Sequence, residues 1–204
     1  MNIRVETLSS SRLSDAIADL ARLRMTVFRE WPYLYDGDLG YEASYLETFI
    51  RSERSIIVVA IDPADEKIVG AATAAPLAEH TDAFGALFCE NGRDPEHYFY
   101  CGESVLLKTY RGKGIGHAFF DARESYASSL NENGQSVFKH ITFCAVVRAD
   151  DDPRRPSGYR PLDPFWSGRG YRKIQGLVGY YDWREIGQSI ETRKAMQFWI
   201  RALS

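Results

Sequence analysis

The sequence predicts an α/β fold in which helices cover a mixed β-sheet. Apolar runs rich in β-branched residues, at 55–61 and 141–147, are typical of buried strands. Apolar residues recur at helical spacing within residues 13–28 and again from Ile115 onwards. The second of these helices lies between strands at 98–107 and 141–147, so those two strands are expected to run parallel.

The first half of the chain supplies the first strands and helices. Residues 3–8 are predicted to form a short strand, followed by a helix that Ser11 or Ser14 caps. Trp31-Pro32 ends this helix, because proline disfavours helical backbone at the residue before it. The remaining predicted elements of this half are a helix at 41–51, strands at 55–61 and 67–75, and a short helix within 76–90.

The second half contains a glycine-rich loop and the strands on either side of it. The strand at 98–107 leads into this loop, and Asn133-Gly134 closes the helical unit that follows. The last predicted elements are a strand at 141–147, a short helix at 161–167 that ends at Gly168 and Gly170, and strands at 177–184 and 195–203.

Composition and charge narrow the functional classes. The 204 residues suit one domain, residues 1–204, with a substantial core. The net charge of −3 gives no reason to expect a nucleic-acid partner. The three cysteines lack Cys-x-x-Cys spacing, so neither a disulfide framework nor a metal site is expected. The chain opens without an apolar signal core and no run reaches membrane-spanning length, so a cytoplasmic protein without a membrane partner is expected.

The most informative segment is the glycine-rich loop at residues 111–116, with the sequence Arg-Gly-Lys-Gly-Ile-Gly. Glycines at alternate positions leave the backbone N–H groups unshielded, and the helix that follows adds its positive N-terminal end. Arg111 and Lys113 add two cations to the same turn. The loop is therefore predicted to bind a phosphate or pyrophosphate group.

Two common phosphate-binding motifs are excluded, each by particular residues of this chain. A P-loop needs Ser or Thr after its Gly-Lys pair, whereas Gly114 follows Lys113 here. A dinucleotide-binding fingerprint would need its third glycine where this chain has His117. That fold also uses an acidic residue at the end of the next strand, and the strand at 141–147 ends at Arg148.

Arg-Gly-x-Gly-Ile-Gly between a strand and a helix resembles the coenzyme A signature of the GNAT superfamily of N-acetyltransferases. The match is tightest over residues 103–127, and a weaker match covers residues 164–171. The resemblance implies a mixed, mostly antiparallel central sheet whose parallel strands splay apart around the cofactor. It also implies an acyltransferase that moves an acetyl group from acetyl-CoA to a primary amine of a small molecule or a peptide.

The resemblance assigns cofactor contacts by position. Backbone groups of Val105, Leu106 and Leu107 would follow the pantetheine arm, with an N–H near Leu106 facing the thioester oxygen. Amides along the loop would bind the pyrophosphate. The loop residues in this set are Arg111, Gly112, Lys113, Gly114, Ile115 and Gly116.

Two residues are predicted to move protons. Glu103 interrupts an apolar strand close to the thioester position, which suits a general base; a solvent-facing or ion-paired strand residue is the other reading. Family members commonly have a tyrosine as the acid at the position where this chain has Trp166, and indole cannot donate a proton. Either Tyr159 supplies the proton or the thiolate leaves unassisted, which a thiol pKa of about 8.5 permits.

An aromatic and acidic stretch lies where the family builds its substrate wall. Trp31, Tyr33 and Tyr35 are the predicted acceptor-binding residues. Aromatic faces with nearby carboxylates suit a cationic amine. A packed, hydrated connection between helices is the competing interpretation.

Two alternatives to catalysis stay open at this stage. One is a non-catalytic coenzyme A-binding sensor or scaffold, which the missing tyrosine favours. The other is a nucleotide-binding protein with an unusual loop. Aromatic residues in the last strands suit either a homodimer contact or the interior of the monomer; they are Tyr180, Tyr181, Trp183, Phe198 and Trp199.

Overall fold

The structure, a computed structural model, describes residues 3–80 and 82–203. Its main sheet is built from β1 (Arg4–Thr7), β2 (Ile56–Asp62), β3 (Lys67–Pro76), β4 (Tyr98–Leu106), β7 (His140–Val146), β8 (Arg172–Trp183) and β9 (Thr192–Ala202). These strands lie in the order β1-β2-β3-β4-β7-β9-β8. A separate hairpin consists of β5 (Asn131–Glu132) and β6 (Gln135–Ser136).

Helices cover both faces of the sheet. They are α1 (Ser10–Phe28), α2 (Leu39–Arg51), α3 (Leu77–His80), α4 (Asp82–Glu90), α5 (Ile115–Ser129) and α6 (Asp163–Gly168). Successive side chains of β2 point to opposite faces of the sheet: Ile57 and Val59 pack with α1 and α2, whereas Ile56 and Val58 pack with α5. None of the described helices has the length and apolarity needed to cross a bilayer.

The sheet is antiparallel except for the pair β4 and β7, which confirms the predicted mixed, mostly antiparallel architecture. Residues 98–100 of β4 pair with residues 140–142 of β7, and no further pairing joins these strands within the described chain. Both strands continue beyond that short ladder, to Leu106 and Val146. The predicted parallel strands therefore separate and leave a gap at their carboxyl ends.

A β-bulge in β4 changes which side chains face each layer. Ala72 pairs with Ser104 and Ala74 pairs with Cys101, so Gly102 and Glu103 together oppose the single residue between them on β3. Cys101 packs on the α5 side, and the Ser104 hydroxyl also contacts α5. Both inserted residues consequently face α1 and α2.

Among the predicted boundaries and elements that differ from the structure, three change the description of the fold most. The strand predicted at 177–184 begins at Arg172, because a register shift between Lys173 and Val178 interrupts the alternating pattern. The single helix predicted within 76–90 is two helices, α3 and α4. Asn133-Gly134, predicted only to close a helical unit, forms the turn of the β5–β6 hairpin with φ values of 52° and 78°.

Candidate functional site

The glycine-rich loop connects β4 to α5 through a 3-10 turn at Lys108–Tyr110. The Tyr110 hydroxyl donates to Asp62 Oδ2 at 2.7 Å and fixes this turn to β2. Gly112 and Gly114 have φ values of 75° and 82°, a backbone region that favours glycine. A Cβ atom at either position would meet no neighbour within 4 Å.

The backbone N–H groups of this loop are available to a ligand. Among the described residues, the amides of residues 112–116 have no hydrogen-bond acceptor, and α5 has no side-chain cap. Ile115 is buried beneath the first turn, whereas the Lys113 Nζ lies over the Tyr110 ring at 5.1 Å. Unpaired amides at a helix N-terminus form an anion-binding site.

Arg111 fastens the loop to its surroundings. Its Nε donates to the Leu106 carbonyl at 3.0 Å, and its Nη1 contacts Glu30 Oε2 at 2.8 Å, close to the end of α1. Both partners of the ion pair are about 40 % exposed, so the pair is weakly stabilising on its own. Its effect is to set the direction in which the loop leaves β4.

The end of β4 presents the backbone of Leu106 to the gap between β4 and β7. The Leu107 N–H donates to the Val69 carbonyl at 3.0 Å, which makes that pair hydrogen-bonded. Gly70 and Leu106, which lie opposite each other, therefore form a non-hydrogen-bonded pair, and the N–H and C=O groups of Leu106 point away from β3. The backbones of Val105 and Leu107 are directed to β3 instead.

On the α1 and α2 side of the sheet, a cavity of about 100 Å³ lies next to the bulge of β4. Gly102 and Cys144 form part of its floor from β4 and β7, and Trp183 and Met196 contribute from β8 and β9. Phenol groups dominate its wall. The tyrosines that line it are Tyr33, Tyr35, Tyr41, Tyr45, Tyr100 and Tyr181.

A buried group of three charges adjoins this cavity. Arg24 Nη1 lies 2.6 Å from Glu103 Oε2, and Arg24 Nε donates to Glu42 Oε2. The side chains of Arg24, Glu103 and Glu42 are 8 %, 3 % and 1 % exposed, respectively. The Tyr45 hydroxyl donates to Glu103 Oε2 at 3.2 Å, and its ring lies 4.1 Å from the guanidinium. One cation between two carboxylates leaves a net charge of −1.

Burial and charge act in opposite directions on the pKa of Arg24. Burial alone would lower this pKa, but the neighbouring Glu103, Tyr45 and Glu42 outweigh it and raise the pKa. The guanidinium therefore stays charged at neutral pH. Glu103 is thus paired with a permanent cation, which corresponds to the ion-paired reading of the sequence.

Burial also controls the phenols and the thiol of the cavity. It raises the pKa of Tyr33, Tyr35 and Tyr181, so these hydroxyls stay protonated at neutral pH and can donate hydrogen bonds. Burial raises the pKa of Cys144 to about 12, and its Sγ lies 3.3 Å from the Tyr100 hydroxyl. The cavity therefore offers neutral donors beside Arg24 and Glu42, which line it, while Glu103 adjoins it through its ion pair with Arg24.

The loop that contains Tyr33 and Tyr35 is fastened by Arg148. Its Nε donates to the Pro32 carbonyl at 2.7 Å, and its Nη2 donates to the Tyr33 carbonyl at 3.0 Å. The Trp183 indole donates to the same Tyr33 carbonyl at 3.1 Å. Backbone bonds with the segment after β8 complete the attachment.

Two predicted site residues lie together outside the cavity wall. The rings of Trp31 and Tyr159 meet edge to face, with centroids 6.1 Å apart. Arg148 lies over Trp31 at 5.6 Å, and Arg155 lies over Tyr159 at 5.7 Å. Burial raises the pKa of Tyr159. Trp166, at the position where a family acid is usual, packs in the core against Phe143 and Trp199.

Sequence analysis missed Arg24, Tyr45 and Tyr181 as parts of this site. Arg24 does carry a signal, because it lies beside Leu20 and Leu23 on the buried side of α1, where an apolar residue is expected. Of the aromatic residues considered for a dimer contact, Trp183, Phe198 and Trp199 are buried within the monomer. Their burial places them in the monomer core.

Solved structures with the same fold include three with a bisubstrate analogue, coenzyme A or acetyl-CoA bound. An Arabidopsis thaliana NAA60 in complex with a bisubstrate analogue has a TM-score of 0.62 at 15 % identity, with 100 % of both chains covered. An aminoglycoside 6′-N-acetyltransferase complexed with coenzyme A has a TM-score of 0.60 at 14 % identity, with 98 % of this chain and 97 % of that chain covered. YncA of Salmonella typhimurium with acetyl-CoA has a TM-score of 0.58 at 9 % identity, with 100 % of this chain and 95 % of that chain covered.

The sequence comparison gives the family. No curated protein matches the chain. A family model described as Acetyltransferase (GNAT) family matches residues 17–151, which is more than half of the 204 residues. That range includes the splayed strand β4, the glycine-rich loop and the helix α5. The chain therefore belongs to the acetyltransferase (GNAT) family.

Proposed function

We propose that this protein transfers an acetyl group from acetyl-CoA to a primary amine. The observation that carries the proposal is that β4 joins two half-sites: unpaired loop amides at its carboxyl end, and an anionic, tyrosine-lined cavity beside its bulge. Acetyl-CoA supplies an activated thioester when bound. The protein's part is to position that thioester and to take a proton from the amine.

The cofactor fits the loop side of β4. Amides of residues 112–116 would bind the pyrophosphate, with Arg111 and Lys113 close to it. The Leu106 N–H would face the thioester oxygen, and Val105 and Leu107 would fix its direction through their bonds to β3. Solved structures of this fold include complexes with acetyl-CoA and coenzyme A, which supports the assignment.

The acceptor fits the cavity side. Two carboxylates and one guanidinium leave one negative charge that an ammonium group would balance, and tyrosine faces favour a cation. An amine that also carries a carboxylate, such as an α-amino acid, would be repelled. Tyr33 and Tyr35 are the proposed wall of this site, with Trp31 supporting the same loop.

Glu103 is the proposed general base. An ammonium group has a pKa of about 10 and must lose a proton before it can attack a thioester. When Glu103 accepts that proton, Arg24 still has Glu42 as its partner, so no buried cation is left unbalanced. Tyr159 is the proposed donor of a proton to the departing coenzyme A thiolate, which could also leave unassisted.

Two measurements, made one after the other, test the proposal. We expect coenzyme A and acetyl-CoA, but not ATP or NAD, to raise the melting temperature. We then expect thiol release from acetyl-CoA with alkyl and aralkyl amines, and at least about tenfold less with α-amino acids of similar size. The partly buried Trp166, which packs against Phe143 and Trp199, favours one second candidate, a non-catalytic coenzyme A binder. Stabilisation by coenzyme A without thiol release for any amine would select it.

A further inference from the structure

Arg123 occupies a position in α5 where an apolar residue is expected. It belongs to the stripe that faces the sheet, with Ile115, Phe119 and Ala127 at intervals of four residues. The residue is 1 % exposed, and within the described residues no carboxylate lies within ion-pair distance of it. A buried cation without a counter-ion is unfavourable unless its donors satisfy other groups.

The guanidinium satisfies backbone carbonyls at the bulge of β4. Its Nη1 donates to the Glu103 carbonyl at 2.9 Å and to the Thr73 carbonyl at 3.3 Å. Its Nη2 donates to the Ser104 hydroxyl at 2.8 Å, and its Nε donates to the Phe119 carbonyl at 3.1 Å. Thr73 and Glu103 face each other at the point where the register of β3 and β4 shifts.

A bulge needs donors of this kind. The extra residue leaves part of the strand ladder unpaired, and unpaired carbonyls in a protein interior are unfavourable. Arginine presents several N–H donors in one rigid plane, so a single side chain can satisfy carbonyls on both strands. A methionine of similar length would fill the space and leave those carbonyls without partners.

We propose that Arg123 is a positioning residue for acetyl transfer. It fixes the bulge of β4, and through the bulge it sets the distance between the Glu103 carboxylate on one face and the Leu106 N–H in the gap. The inference rests on the proposed function, because it concerns how that site is aligned. Arg123 contacts Glu103 only at its backbone carbonyl, not at its carboxylate, and takes no part in proton transfer.

The test separates alignment from stability. Arg123→Lys retains the charge but cannot reach both carbonyls, and we expect kcat to fall about tenfold while the Kd for coenzyme A changes less than about twofold. Phe138→Leu is the matched control, since Phe138 is 1 % exposed in the hydrophobic cluster that also contains Phe119 and Ala127 of α5, but is distant in sequence from the bulge. It should lower the melting temperature and leave kcat per folded molecule unchanged.

Two results would overturn the inference. One is a kcat for Arg123→Lys that equals the wild-type value once the folded fraction is taken into account. The other is free rotation of the Arg123 guanidinium in the wild-type protein, measured by nitrogen NMR; restricted rotation supports a clamp on the bulge. This measurement decides even if the variant does not fold or if no amine is acetylated, and a lack of acetylation by the wild type contradicts the proposed function rather than the role of Arg123.

Discussion

At the level of single residues, Arg24 determines what Glu103 can do. A lone buried carboxylate would be strongly unfavourable, and a simple Arg–Glu pair would be neutralised and hard to protonate without leaving a buried cation. The addition of Glu42 solves both difficulties, because Arg24 keeps one partner whichever carboxylate accepts a proton. The arrangement therefore tolerates a change in the charge of Glu103.

Glu103→Gln tests this role directly. Glutamine keeps the shape of the side chain but cannot accept a proton, so we expect kcat to fall by about 100-fold. Affinity for coenzyme A should stay within about twofold, because the loop amides are untouched. Steady-state kinetics and calorimetry provide the two values, with Glu47→Gln, on the exposed side of α2, as the control. Equal turnover of wild type and variant across pH would remove Glu103 from the mechanism.

The thiols give a second prediction at this scale. Burial raises the pKa of Cys144 to about 12 and that of Cys101 to about 11, so both stay protonated at neutral pH and form thiolates only as the pH approaches those values. Cys89 is exposed. Mass spectrometry after brief alkylation at about pH 8 should find Cys89 modified and the other two intact. Modification of Cys144 at the same rate as Cys89 would mean that the cavity floor does not shield this partly buried thiol.

At the level of elements, local sequence accounts for the loop but not for the bulge. The spacing of Gly112, Gly114 and Gly116 between a strand and a helix is a local pattern that predicted the loop, whereas the splayed strands were implied only by the resemblance to the GNAT family. The bulge at Gly102 depends on pairing with β3, which no local pattern contains. Arg123 could have been noticed, since it interrupts the stripe of α5, but its carbonyl partners are set by the register.

Gly114→Ala separates the backbone strain of the loop from its ligand contacts. Gly187 has the same φ of 82° and, like Gly114, no atom within 4 Å of the position that an alanine methyl group would take, so alanine strains both equally. We expect each variant to lose about 1 kcal/mol of unfolding free energy. Only Gly114→Ala should weaken coenzyme A binding, by at least about tenfold, because its methyl group would occupy the phosphate position. Titration calorimetry on both variants measures the difference, and equal affinities would argue against this loop as the site.

At the level of the whole molecule, segments distant in sequence meet at Glu185. Arg148 Nη2 lies 2.6 Å from one of its oxygens, and Arg154 Nη1 donates to the other at 2.5 Å. Lys194 approaches at 3.7 Å from β9. Because Arg148 also binds the loop at residues 32–33, this cluster sets the position of the proposed acceptor wall. A sequence pattern could show these charges as separate loop residues, but their convergence follows only from the folded chain.

Glu185→Gln should weaken both the fold and the acceptor site. Burial would raise the pKa of Glu185, but hydrogen bonds from Arg148 and Arg154 outweigh it and lower the pKa. A lowered pKa in the folded state gives stability above the unfolded value of about 4.3, and this stability is lost as pH falls through the folded value. The variant should therefore be about 3 kcal/mol less stable than wild type near pH 7, and the difference should shrink below about pH 4.

Urea unfolding across this pH range measures that difference, with Glu191→Gln, an exposed residue before the start of β9, as the control. The KM for the amine should rise in Glu185→Gln, because the Tyr33 loop loses its anchor, while the Kd for coenzyme A should not change, because the charged partners of Glu185, namely Arg148, Arg154 and Lys194, all lie outside the glycine-rich loop. A rise in both constants would mean that the two half-sites are not independent. A stability difference that stays constant as the pH falls would mean that the charge of Glu185 does not maintain the acceptor wall.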